Sequence, residues 1–118
     1  MPTTFTMAEA SASSGLSLDA LRYYEREGII GPLSRDGANH RRFTEGDLAW
    51  LGVVTCMKDA GLGVADLRDF AALMTGRDAT AEPLSFLRDR RAALQERAAV
   101  LARALAVLDD KIEYFSRV

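Results

Sequence analysis

Arginine carries almost all the positive charge of this chain: of 15 basic residues, only Lys58 and Lys111 are Lys. A guanidinium can clamp a phosphate or give two parallel hydrogen bonds to a guanine edge, and a Tyr hydroxyl can donate to phosphate. The stretch 20–43 gathers Arg22, Arg26, Arg35, Arg41 and Arg42, with His40 beside them, against Glu25, Glu27 and Asp36. The whole chain has a net charge of −2, so the excess of positive charge is local. Cys56, the single cysteine, is the other group with chemistry of its own. It forms no internal disulfide, and with His40 it cannot complete the four ligands of a structural zinc site. Its thiol could be alkylated or oxidised if a nearby cation lowers its pKa. Around the lone His40 no nucleophile and base pair is evident, and no phosphate-binding Gly loop appears, so the chain is not read as an enzyme.

These groups need elements to hold them, and almost every segment reads as helix with a stop signal behind it. Thr6 followed by Glu9 has the spacing of a capping box and predicts a short helix over 7–14, ended by Gly15. Ser17 caps a second, over 18–27, with Leu18, Leu21 and one of Tyr23 and Tyr24 facing inward. Its exposed face then holds Ser17, Asp19, Ala20, Arg22, Tyr23 and Arg26. Two short helices joined by a Gly-containing turn make a helix-turn-helix pattern. Over 29–43 the helical rhythm stops at Gly31-Pro32, and turn formers from Arg35 to Arg42 lie between short extended pieces, predicting a small hairpin or wing. Arg35, His40, Arg41 and Arg42 on that wing can reach a nucleic-acid backbone flanking the groove that the helix reads. A solvated charged face is the other reading of the same residues.

Thr44 with Asp47 predicts a longer helix to Ala60, and a fourth over 64–75 carries Leu67, Phe70, Ala71 and Met74 on one face. Cys56 falls between the apolar arc of Val53, Met57 and Ala60 and the polar arc of Gly52 and Asp59, which leaves open a thiol sensor or a small packing residue. Residues 1–75 thus form the reading domain and 76–82 a linker. In 83–118, Leu84, Arg91, Ala98, Leu105 and Ile112 alternate with Leu87, Leu94, Leu101, Leu108 and Phe115 at 3,4 spacing, a coiled-coil seam. A helix of that length spans roughly 50 Å at 1.5 Å per residue, too long to pack wholly on a small domain. A second copy is the expected partner; an intramolecular lid is the other way to cover the seam. With no signal peptide and no run of 18 apolar residues, a cytoplasmic location is expected.

The assembled string resembles the MerR family of bacterial transcription regulators. The matching pieces are Phe5-Thr6-Met7 with Glu9, Gly15-Leu16-Ser17, Leu21-Arg22-Tyr23-Tyr24-Glu25 with Gly28-Ile29-Ile30, His40-Arg41-Arg42-Phe43, Asp47-Leu48 and Ala60-Gly61-Leu62. The resemblance implies a mainly α fold: a winged helix-turn-helix of four helices and a small β wing, then a long dimerisation helix forming an antiparallel coiled coil with its twin. It also implies DNA contacts from Arg22 and Tyr23 on the recognition helix and from Arg41 and Arg42 on the wing. The expected partners are promoter DNA, a second copy and RNA polymerase, with no membrane, no cofactor and no metal.

Family members bind promoter spacers about two base pairs too long, which rotates the flanking elements by roughly 70° at about 10.5 base pairs per turn. Distorting the spacer realigns them. The context Cys56-Met57-Lys58-Asp59-Ala60-Gly61-Leu62 resembles the short single-cysteine subgroup that responds to aldehydes, electrophiles or nitrosative stress. No separate ligand-binding domain like that of drug-sensing members is expected after Val118, and metal sensing is not expected either, because the cysteines that metal-sensing members place near the dimer helix do not occur here. There are departures: Ala38-Asn39-His40-Arg41 stands where Asn-Gly-Tyr-Arg is common, and Gly63 where a Ser often caps the fourth helix. A regulator with a non-thiol signal, or with none, and a coiled-coil adaptor remain the alternatives.

Overall fold

Two compact units make up the chain, Met1–Ala79 and Thr80–Val118. The computed structural model describes residues 3–76 and 82–118, so most of the expected linker, 77–81, lies outside the described residues.

Local capping decides where the first helices begin. The Thr6 hydroxyl accepts from the Glu9 amide at 3.1 Å, and the Glu9 carboxylate accepts from the Thr6 amide at 2.9 Å. That reciprocal pair opens α1 (Met7–Ser14). Gly15 turns the chain with φ 78°, a conformation that a Cβ disfavours, and its amide donates to the Ser11 carbonyl. The Ser17 hydroxyl accepts from the Ala20 amide and starts α2 (Leu18–Arg26). Leu21 and Tyr24 are buried in this helix, but Leu18 is 41% exposed and does not face inward as expected. The buried arc is centred between Leu21 and Tyr24, with Ala20 packed partly against the core, which puts Leu18 beyond its edge. Ala20 is for the same reason not part of the exposed face assigned to it.

Strand β1 (Thr4–Thr6), which the sequence reading did not anticipate, joins the wing strands β2 (Ser34–Arg35) and β3 (Arg41–Thr44) in an antiparallel sheet of order β1-β3-β2. Phe5 stands opposite Phe43, and Arg35 opposite Arg41. Phe43 has no exposed surface and enters the core with Leu21, Ile29, Leu51, Val54 and Leu67. Thr44 and Asp47 form the second capping box, which opens α3 (Glu45–Asp59). In α4 (Val64–Met74), Leu67, Phe70 and Ala71 are buried as expected. Met74 is exposed at the helix end and Leu73 is buried in its place. Gly63 caps α4 with no side-chain bond, the consequence of lacking a hydroxyl there. The Trp50 indole donates to the Ile29 carbonyl at 2.7 Å and stacks on Phe70 with centroids 5.5 Å apart, tying the chain after α2 to α3 and α4.

The second unit is α5 (Pro83–Ser116), a helix of 34 residues. Pro83 sits in its first turn, and the Glu82 carboxylate caps it by accepting from the Leu84 and Ser85 amides. Its apolar seam lies open to solvent in the single chain: Leu101 is 62% and Phe115 68% exposed. No described helix is long and apolar enough to cross a membrane.

Candidate nucleic-acid interface

The first turn of α1, one side of α2 and the wing enclose a cleft of about 330 Å³. Thr6, Met7 and Ala8 line one wall; Arg22 from α2 and Arg35, Asp36, Asn39, His40, Arg41 and Arg42 from the wing line the rest. Four arginines and one acidic residue, Asp36, therefore line the cleft, with the start of a helix beside them, where backbone dipoles also favour an anion. Sequence reasoning assigned Arg22, Arg35, His40, Arg41 and Arg42 to one surface, and the fold brings those five together. Asp19, Tyr23 and Arg26 share α2 and Ser17 caps it, but none of the four lines the cleft. The α1 residues were missed, because the Thr6–Glu9 box reads locally as a helix start and says nothing of what lies across from it.

Several of these side chains are already held. Arg22 donates to Asp19 at 3.0 Å and remains 42% exposed. The Arg26 guanidinium lies 5.9 Å from the centroid of the Tyr23 ring, in cation–π range. Arg35 donates to the Asn39 carbonyl at 3.0 Å. The wing arginines differ from the free arms expected of a basic loop. Arg41 donates through Nε to Glu25 at 2.5 Å, and Arg42 donates to the Thr4 hydroxyl at 3.0 Å and the Thr4 carbonyl at 3.1 Å. Both are half-buried because β3 is the central strand of the sheet, so its side chains meet neighbours on either side.

The wing tip is built on Asp36. Its carboxylate accepts from the Ala38 amide at 3.0 Å and the His40 amide at 2.9 Å, while its own amide donates to the His40 carbonyl. Asn39 takes φ 65° there, a conformation Asn tolerates better than most side chains, and so stands in for a glycine. The bond from the His40 amide holds the Asp36 carboxyl below its ordinary range against the opposing cost of desolvation, with the Ala38 amide assisting. Glu9 is likewise lowered, first by the Thr6 backbone bond and last by the charge of Arg42.

On α3, Cys56 is exposed rather than packed. Val53, assigned to the apolar arc, is also 39% exposed, because the buried side of this helix is set by Leu51 and Val54. No cluster of metal-ligating side chains occurs among the described residues.

The profile described as MerR HTH family regulatory protein matches residues 5–73. This chain belongs to the MerR family. It is 33% identical over 115 residues to an HTH-type transcriptional regulator of Haemophilus influenzae, covering 97% of this chain and 85% of that one. It is 37% identical over 76 residues to the HTH-type transcriptional regulator AdhR of Bacillus subtilis, covering 64% of this chain and 54% of that one. Among solved structures it superposes on HiNmlR, a MerR family regulator lacking the sensor domain and bound to promoter DNA. That match has a TM-score of 0.86 at 33% identity and covers 98% of this chain and 92% of the other. The chain is therefore a MerR-family DNA-binding transcription regulator and not an enzyme. Its winged helix-turn-helix and long C-terminal helix are those of the family.

A lowered carboxyl pKa contributes stability above the unfolded value, and that contribution is lost as pH falls through the folded one. The His40 amide proton, followed by NMR during acidification, should therefore shift with a midpoint below 3.8, the ordinary Asp value. In an Asp36→Ala variant that titration should vanish. A midpoint at or above 3.8 would contradict the turn described.

Proposed function

We propose that this MerR-family regulator works as a homodimer whose two cationic clefts grip the half-sites of a promoter, and that the dimer distorts the spacer to switch between repression and activation. The observation that carries this reading is the gathering of Arg22, Arg35, His40, Arg41 and Arg42 around one cleft beside the start of α1. Within it Arg22 has the exposure to reach a base edge or a phosphate, with Tyr23, Arg26 and Asp19 on the same helix and Ser17 at its cap. The relative crystallised on promoter DNA supports the same use of the same domain.

Support for the dimer comes from α5. Its 3,4 seam, Leu84, Leu87, Leu94, Ala98, Leu101, Leu105, Leu108, Ile112 and Phe115 with Arg91, leaves most of its apolar side chains exposed, as a surface for a second copy requires, and the family resemblance favours an antiparallel one. Burying about ten leucine-class side chains there contributes on the order of 10 to 20 kcal/mol before association costs. Distorting the spacer costs on the order of 1 to 6 kcal/mol. A signal that alters the half-site separation can therefore shift the dimer between two DNA-bound states without releasing it, and RNA polymerase meets the promoter elements in or out of alignment. The exposure of Cys56 on α3 supports a thiol that a reactive small molecule can reach. A cytoplasmic site of action follows from the same reading.

Three experiments test this. Arg22→Ala should weaken binding to the protein's own promoter about tenfold, and lower the slope of log affinity on log salt by about 0.9 if the contact is to phosphate. Unchanged affinity in fluorescence anisotropy removes Arg22 from the interface. Leu101→Lys should sediment as a monomer and bind the promoter with lost cooperativity, whereas a persistent dimer means the seam is misassigned. Cys56→Ser should keep promoter affinity but lose the transcriptional response to formaldehyde, methylglyoxal and a nitric oxide donor. A response that survives the substitution assigns the signal to another group.

A further inference from the structure

Glu25 presents an electrostatic puzzle. It is a carboxylate on α2, the helix that must approach a polyanion, and an unpaired negative charge there repels phosphate. In the structure it is engaged. Its Oε1 accepts from Arg41 Nε at 2.5 Å, across 16 residues of chain, and the two side chains are only 20% and 25% exposed. The pair joins the recognition helix to the central strand of the wing. Among the described residues no other group bonds to the Arg41 guanidinium, and Arg41 lines the cationic cleft.

We infer that Glu25 is a positioning residue for DNA binding. By holding Arg41 at Nε it turns the remaining guanidinium donors toward the phosphate backbone, and it locks the wing to α2 so that both elements meet the duplex at one preset spacing. The inference rests on the cleft being the DNA-binding surface. A guanidinium suits this task and an ammonium does not: its planar fork serves a carboxylate on one edge and a phosphate on another, whereas a point charge must choose. The wing needs such an anchor because β2 and β3 are only two and four residues long. An unanchored hairpin would lose conformational freedom on binding, and that loss would subtract from affinity. On the other side, Arg42 ties the same strand to Thr4 of β1, so β3 is braced in both directions.

The test turns on a sign. If Glu25 were a bystander, removing its charge near a polyanion should tighten binding. A positioning role demands the reverse. Anisotropy with a labelled duplex of the protein's own promoter, and competition with sonicated calf-thymus DNA, should show Glu25→Ala weakened about five- to tenfold on both, with the salt slope reduced by about 0.9 as the Arg41 phosphate contact is lost. Glu25→Ala/Arg41→Ala should bind no more weakly than Arg41→Ala alone, since one contact is removed by either route. Glu25→Gln, which keeps the acceptor, should retain most of the salt slope. A purely structural role would lower the melting temperature and leave the slope unchanged. Should Glu25→Ala fail to fold, Arg41→Lys carries the test: it is expected to bind as weakly as Arg41→Ala, and full affinity would overturn the proposal. Tighter or unchanged binding by a folded Glu25→Ala overturns it while leaving the DNA-binding cleft intact. Failure of the unsubstituted protein to bind either DNA at low salt overturns both.

Discussion

Phe43 enters the core from a strand only four residues long, and the placement of the cations follows from that. With no surface exposed, its ring fixes where β3 lies against α1 and α3. Side chains alternate along a strand, so once Phe43 is pinned inward Arg41 shares its face and Arg42 takes the opposite one. Thr44, the next residue, caps α3, so the core contact also sets where that helix begins. A hairpin this small has little stability of its own. It keeps its geometry because one apolar residue is anchored in a core of neighbouring helices and two arginines clamp its flanks.

What was legible in the sequence was local. Each capping box joins residues three positions apart, and both Thr6–Glu9 and Thr44–Asp47 form as read. The αL turn at Gly15, the end of α1 and the length of α5 likewise depend on neighbours or on a periodicity sustained through five heptads. The remainder came from pairings across distance. Strand β1 has three residues, too few for an alternation to register, and exists because Phe5 finds Phe43. The Arg41–Glu25 and Arg42–Thr4 bonds cross 16 and 38 residues, and no spacing rule reaches that far. Leu18 and Met74 were misjudged for a related reason: helical periodicity gives an apolar arc, but the neighbours decide where on the arc the core is centred and where along the helix it stops.

Cys56 shows where pattern loses its force. A boundary position on a wheel predicts neither burial nor exposure, and the residue is exposed because Leu51 and Val54, not Val53, define the inner side of α3. Exposure makes a thiol available for reaction, and availability is a condition for sensing rather than a mechanism of it. For modification there to change transcription, it must bias two arrangements of the DNA-bound regulator differently.

A chain with net charge −2 can bind a polyanion because the range of the field is short. At physiological ionic strength exposed charges more than about 8 Å apart are largely screened. On the binding mode proposed above, a phosphate in the cleft would respond to Arg22, Arg35, Arg41 and Arg42 and to the amides at the start of α1, and carboxylates farther off would weigh little. The carboxylates near it must then be occupied: Asp36 by the amides of its own turn, Asp19 by Arg22 and Glu25 by Arg41. Each is spent on orienting the wing or an arginine. In a small domain the charge that shapes a cationic site is thus partly negative, and counting residues by sign understates what the arrangement does.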